Sequence, residues 1–246
     1  MDRSLYVAMS GAKQAMLAQG LIANNVANAS TVGFRADMAR FAESPIRGPG
    51  YPTRVDSVAS GVGFDQSVGT LIETGRVLDL SVNGSGWIAV QADDGSEAYV
   101  RSGAMNVDAF GLLRTSTGQL VLGDDGPIAI SPFDRLAVGA DGTISIVPQG
   151  QGPQTLAQIG RIKLVNPERG ELVKRYDGLV QVADGQPAEA DASVRLVSGF
   201  LEASNANLAQ GMIEMIELSR RFELEVRMMR VADENASRAA ELLRNG

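Results

Sequence analysis

All nine prolines lie between Pro45 and Pro187, so residues 1–44 and 188–246 lack the residue that most strongly interrupts a helix. Glycine is partitioned in a similar way: 15 of the 28 fall between Gly61 and Gly150. The chain therefore reads as two helix-permissive ends around a turn-rich centre.

Both ends carry helical patterning. Leu5, Met9, Ala12, Met16, Gln19, Ala23 and Val26 recur at spacings of three and four and share one helical stripe. Ala8, Ala15 and Ala27 beside it are small enough for close helix packing. This helix is expected to start near Asp2 or Ser4 and to stop near Asn28, with Gly33-Phe34 as a break. At the other end, Leu208, Met212, Met215, Ser219, Phe222, Val226, Met229, Asp233, Ala236, Ala240 and Leu243 continue the period over about five heptads. A helix from about 204 to 244 would be roughly 60 Å long at 1.5 Å per residue. It needs the N-terminal helix, other subunits or both to cover its stripe.

The centre reads as short strands between turn signals. Trp87 to Val90 follows Asn83-Gly84-Ser85-Gly86, and Ala98 to Arg101 follows Asp93-Asp94-Gly95. Leu120 to Leu122, Ile128 to Ile130, Leu136 to Val138, Ile144 to Ile146, Ile159 to Val165 and Leu179 to Val182 come after. Turn signals every 8–12 residues suggest an antiparallel sandwich or barrel-like domain. The fold class is therefore α+β: a discontinuous, coiled-coil-like pair of terminal helices plus a central, mostly antiparallel β domain.

Composition then removes function classes. With no His and no Cys, Ser-His-Asp triads, thiolate chemistry and the ordinary zinc, haem and iron–sulfur ligand sets are absent. A net charge of −7 argues against a nucleic-acid binder. No apolar run approaches a membrane span, and the opening MDRSLYVAMSGAKQAM does not have the pattern of a cleavable signal.

The remaining motifs have bland readings. Ser10-Gly11-Ala12-Lys13 matches S-x-x-K without its companion motifs and sits in the first helix. Asp93-Asp94-Gly95 and Asp124-Asp125-Gly126 read as turns rather than calcium loops. Gly61-Val62-Gly63 and the Asn83–Gly86 run lack a phosphate-loop pattern. Arg220, Arg221, Arg227 and Arg230, among Glu214, Glu217, Glu223 and Glu225, read as a solvated or salt-bridged helix face or an intersubunit surface. The methionines of both ends suit either core filling or adaptable contacts. Most unusual are Asn24, Asn25 and Asn28 inside an Ala-rich helix, where Asn is costly. They read either as an elaborate C-cap or as polar residues that fix the register of a packed helix.

The run Ala23-Asn24-Asn25-Val26-Ala27-Asn28 with Thr31-Val32-Gly33-Phe34-Arg35 resembles the signature of bacterial flagellar axial proteins, which comprise rod, hook and hook-associated proteins. Ser204-Asn205-Ala206-Asn207 leading to Met212–Ile216 and Arg220-Arg221-Phe222-Glu223 is similar to that family's C-terminal pattern. Thr74-Gly75 through Asp79-Leu80 to Val82–Trp87, and Tyr99–Gly103 with Asp108, Gly111, Leu112 and Thr115, add two more matches. The resemblance spans nearly the whole chain. Within the family, the opening Met1–Tyr6, the stretch Ala29–Ala36, Leu164–Pro167 and Tyr176–Leu179 look most like the proximal-rod protein, with the distal-rod protein as the alternative. Val32, Ala206 and Trp87 stand where proline, a branched residue and phenylalanine are frequent.

The resemblance implies a structural subunit and no enzyme, with no catalytic residue, cofactor or metal. It would polymerise around an export channel, and be exported without a cleaved signal into a rod spanning the periplasm. Residues 1–35 and 200–246 would form one core domain, 36–80 an extended linker with Pro45, Pro49 and Pro52, and 81–199 an outer β-rich domain. The expected assembly interface is Leu5, Met9, Met16, Asn24, Asn25, Val26, Asn28, Gly33, Phe34, Asn205, Asn207, Leu208, Met212, Met215, Phe222, Val226 and Met229. Expected partners are copies of the chain, other rod subunits and the export apparatus, with no nucleic acid and no membrane insertion. A less favoured alternative is a secreted adhesin or binding module with a β head on a stalk.

Overall fold

The computed structural model describes residues 3–45, 55–152, 155–168 and 170–245. It is an α+β chain with two compact units, one built on the termini and one on the centre.

The first unit contains helices α1 (Arg3–Ala27) and α2 (Leu208–Asn245) and a hairpin of β1 (Asp37–Pro45) and β2 (Val55–Phe64). Helix α1 has no internal proline and is rich in Ala, the best helix former. Its last turn tightens as Asn28 N–H donates to Asn24 O and Ala29 N–H to Val26 O. Helix α2 begins on an N-cap, where Asn207 Oδ1 accepts from Gln210 N–H at 3.1 Å. Arg244 in its final turn faces the negative end of the helix dipole.

Residues 36–80, expected as an extended linker, divide instead between the two units. Strands β1 and β2 pair antiparallel from Asp37↔Phe64 to Pro45↔Val55 with one register shift at Arg40/Phe41. An extended segment leaves its backbone groups to water, whereas a hairpin satisfies them in a ladder. Pro45 sits at the strand end, where a missing N–H does least harm. Pro49 and Pro52 lie outside the described residues. Residues 66–80 belong to the β unit.

That second unit comprises residues 30–35 and 66–205. Its strands are β3 (Leu71–Glu73), β4 (Asp79–Asn83), β5 (Trp87–Gln91), β6 (Glu97–Val100), β7 (Ser102–Val107), β8 (Leu113–Thr115), β9 (Leu120–Gly123) and β10 (Gly126–Pro127). Then follow β11 (Phe133–Val138), β12 (Thr143–Pro148), β13 (Ala157–Arg161), β14 (Leu164–Val165), β15 (Leu172–Lys174), β16 (Val180–Val182), β17 (Arg195–Ser198) and β18 (Phe200–Glu202). The main antiparallel array runs β15-β16-β6-β5-β9-β8-β7-β4-β17, with β10 on β9 and β14 on β5. A separate meander, β11-β12-β13, and a two-stranded ribbon, β18-β3, complete the unit. Side chains from the array and the meander, including Leu80, Ile88, Met105, Ile144 and Ile146, share one core. Trp87 to Val90 are all buried because β5 is central in the array. The β region thus extends beyond the expected 81–199 at both ends. It starts at Leu71 and closes on Glu202, because β18 pairs with β3 rather than leading straight into helix.

Candidate assembly surface and its anchor

Helices α1 and α2 pair antiparallel along a seam of small side chains. Ala8, Ala12 and Ala15 are buried on α1, and Gly211 on α2. At Gly211 an added Cβ would lie 2.8 Å from Val26 Cγ2, so the backbones approach as closely as side chains permit there. The face of α1 turned to α2 holds the alanines together with Gly11 and Val26, whereas Met9 and Met16 of the expected stripe lie off it. Those two are 53% and 61% exposed. Rows offset by one residue both repeat at three and four, and small residues win the seam because they let the helices approach.

Met215, Phe222, Val226 and Met229 are half-buried, whereas Leu208 and Met212 are 51% and 56% exposed. Leu5 and Val26 are half-buried. Tyr6, Leu17, Ile213, Ile216, Leu224 and Met228, which the expected assembly interface did not include, are exposed as well. Beyond Ala232 the described α2 side chains are all exposed.

The asparagines join α1 to β1. Asn25 Nδ2 donates to Asp37 O at 2.9 Å, and Asp37 N–H donates to Asn25 Oδ1 at 2.7 Å. This reciprocal pair satisfies the first rung of the strand. Asn24 Nδ2 donates to Asp37 Oδ2 at 2.6 Å, and Asn28 Nδ2 reaches Asn24 O and Oδ1, both at 2.9 Å. The polar cluster in an alanine-rich helix thus fixes a chain reversal within one subunit.

A second device lies wholly inside the β unit. Glu202, 1% exposed, accepts from Arg35 Nη2 at 2.5 Å and from Arg101 Nε at 3.1 Å. Gly69 N–H donates to Glu202 Oε1 at 2.6 Å, and Glu202 N–H donates to Ser102 Oγ at 2.9 Å. Gly33 N–H donates to Glu202 O at 2.7 Å, and Asn205 N–H to Phe34 O at 3.4 Å. One carboxylate and its backbone therefore gather four segments, residues 33–35, 69, 101–102 and 202. Burial pulls the Arg101 guanidinium below its ordinary range; Glu202 opposes that shift and Arg35 adds to it.

Arg101 also organises the turn at 83–87. Its guanidinium donates to Gly86 O, to Gly84 O at 2.7 Å and to Val82 O at 3.4 Å, and lies 5.7 Å from the Trp87 ring centroid. Gly86 has φ +119, and a Cβ there would lie 2.6 Å from Val194 Cγ1, so only glycine fits. Lys174 Nζ donates to Arg35 O at 2.9 Å and stands 3.9 Å from the Phe34 ring centroid. Half-buried Gly33 and Phe34 are thus part of this anchor, as is Asn205, whose Nδ2 donates to Ser67 O at 3.0 Å. Asn207 remains exposed as the α2 cap.

Sequence reasoning missed the Arg35–Glu202–Arg101 set. The only available signal was that Arg35 and Arg101 each sit in a family motif two positions from a glycine.

Among the described residues, no group of three or more acidic side chains stands close enough to hold a metal ion. The Asp94 carboxylate is occupied by Ser96 and Arg175. These contacts, led by the Ser96 hydroxyl, hold its pKa down at about 2. What the molecule offers is a surface of exposed apolar helix residues and a buried polar anchor.

Comparison with known proteins gives the family. Residues 5–35 match the family model described as flagella basal body rod protein. Residues 81–146 match the D1 domain of flagellar hook protein FlgE/F/G, and 197–242 the C-terminal region of flagellar basal body rod FlgEFG proteins. The flagellar basal-body rod protein FlgF of Escherichia coli K12 is 40% identical, with 99% of each chain covered. That of Salmonella typhimurium is also 40% identical over 99% of each chain. Flagellar basal-body rod protein FlgG of Bacillus subtilis is 30% identical, covering 95% of this chain and 96% of its own. Such identity over the full length places this chain in the FlgF family of flagellar basal-body rod proteins, the structural subunits of the rod.

Proposed function

We propose that this chain is a proximal-rod subunit that polymerises, with copies of itself and other rod proteins, into the helical drive shaft around the export channel. The observation that carries the reading is the two-sided character of the helix pair. Alanines and glycines let the seam between α1 and α2 close tightly, while Met9, Met16, Leu208 and Met212 face outward. Exposed apolar side chains along both helices of a pair mark a surface that a partner covers. Each large apolar chain buried there contributes roughly 1.5–3 kcal/mol before ordering costs. A heterologous contact that does not close on itself generates a helical array.

In this reading Leu5, Val26, Met215, Phe222, Val226 and Met229 support the surface from its half-buried side, and Asn24, Asn25 and Asn28 hold the hairpin root in place. Gly33, Phe34 and Asn205 fix where the chain leaves the β unit, and Asn207 starts α2. Export occurs through the flagellar secretion channel without a cleaved signal, and the assembled subunit lies in the rod across the periplasm. The greater identity to FlgF relatives than to FlgG relatives favours the proximal over the distal rod.

Electron microscopy of basal bodies from a deletion strain tests this. A short stub lacking distal rod and hook is expected. A rod that fails only at its outer end would move the subunit to the distal rod, and intact rotating flagella would overturn the structural role.

A further inference from the structure

The seam between α1 and α2 carries an acidic residue. Gly11 on α1 faces Glu225 on α2: an added Cβ at Gly11 would lie 2.7 Å from Glu225 Oε1 and 2.8 Å from its Cδ. Further along, Gly211 faces Val26, and a Cβ there would meet Val26 Cγ2 at 2.8 Å. The two glycines sit on opposite helices, towards opposite ends of the pair. Between them lie Ala12 and Ala15, whose methyl groups would pack nearly as well after a slip of one heptad.

We infer that Gly11–Glu225 and Gly211–Val26 form a two-point register lock for the terminal helix pair. The two contacts select differently. Val26 is β-branched and stiff, so only glycine admits it at close backbone approach. Glu225 lays its carboxylate over Gly11, where the absent side chain leaves room for it. A polar residue at a seam position is a known device for choosing one register among several apolar alternatives. A slip of one heptad in one direction sets Glu225 against Ala18 and carries Gly211 past the end of α1. The opposite slip sets Leu218 against Gly11.

The register fixes how far α2 projects. Helix α2 runs 20 residues past Glu225 and α1 begins eight residues before Gly11, so about 12 residues of α2, or ~18 Å, extend beyond α1. One heptad of slip would change that projection by ~10 Å. The inference concerns the helix pair alone and stands whatever the chain assembles with.

The chain has no cysteine, so introduced pairs report register directly. By the antiparallel count of the two glycine contacts, Ala15→Cys with Phe222→Cys samples the observed register. Ala15→Cys with Met215→Cys, or with Met229→Cys, samples one heptad to either side. In the full-length chain the first pair is expected to close about tenfold more readily than either shifted pair. Glu225→Leu and, separately, Gly11→Leu are expected to raise closure of a shifted pair several-fold, while Glu225→Gln keeps the original pattern. A pattern confined to the observed register in both variants overturns the lock, as does equal closure of all three pairs in the otherwise unaltered chain. Loss of helix in either variant, read by circular dichroism, also counts against it, because the lock selects a register and does not hold the helices together.

Discussion

The two units bury different chemistry. In the β unit, Leu80, Ile88, Val90, Met105, Leu113 and Ile144 are wholly inaccessible, and a charged triad is buried with them. In the terminal unit, the buried α1 side chains are alanines, and most large apolar side chains of the helices stay partly or largely exposed. The first pattern is that of a self-sufficient domain, whose stability resides in contacts made within one chain. The second is a half-finished core: a helix pair held at close range by small residues, with Met9, Met16, Leu208 and Met212 left largely exposed. Substitutions should therefore act on monomer stability in one unit and on assembly in the other.

The sharpest test of that contrast is Glu202→Leu. It leaves Arg35 and Arg101 buried without their carboxylate, and unfolding in urea should show a loss of about 3–5 kcal/mol. A loss below about 1 kcal/mol would mean that the triad is not what closes the β unit. Asn25→Ala removes both hydrogen bonds to Asp37, one of them from a backbone N–H. A cost of about 1 kcal/mol is expected, with amide exchange accelerating in β1 and at the C-terminal turn of α1 but not in the β unit.

Met16→Ser combined with Met212→Ser lies lower still on the monomer scale. The unfolding free energy should move by no more than about 0.5 kcal/mol, while rod completion, counted in basal-body preparations, falls sharply. If the monomer loses as much as it does with Glu202→Leu, the two units are not divided in this way.

The smallest effect is a pH dependence. The folded-state pKa of Asp94 is lowered from 3.8 to about 2 by hydrogen bonds from Ser96 and then from Arg175. A depressed carboxylate contributes stability above its unfolded pKa and loses it as pH falls through the folded value. The contribution should be complete above about pH 4 and disappear by about pH 2. Because the group is fully exposed, the effect is slight. Comparing Asp94→Asn with the unaltered chain at pH 5 and at pH 2.5 checks it, since the difference between them should shrink at the lower pH.

Much of the architecture is legible from local pattern. The absence of proline and the recurrence at three and four place both helices within a few residues, and turn residues divide the centre into strands. What is not legible is which of two adjacent stripes on α1 becomes the seam. Both have the same period, and the choice depends on how closely the partner backbone approaches at Gly211. Nor does pattern reveal that Asp37 begins a hairpin, because the proline-containing stretch near it reads equally well as extended chain. The triad is invisible for a different reason. Arg35, Arg101 and Glu202 are separated by 66 and 101 positions, and no periodicity links residues that only folding brings together. The asparagine cluster was visible as an anomaly, but its partner, Asp37, was not.

The antiparallel helix pair also sets a delay. Val26 and Gly211 touch across 185 intervening steps of chain, so whatever leaves the ribosome first must wait for what leaves nearly last. At about 5–20 residues per second, that interval is roughly 10–40 s. For all that time α1 has no α2 to lie against, and its contact face is exposed to solvent and to other nascent chains. A row of alanines is a mild surface to leave waiting, whereas a row of leucines would be adhesive. The composition of the seam thus suits the period before pairing as well as the close approach after it.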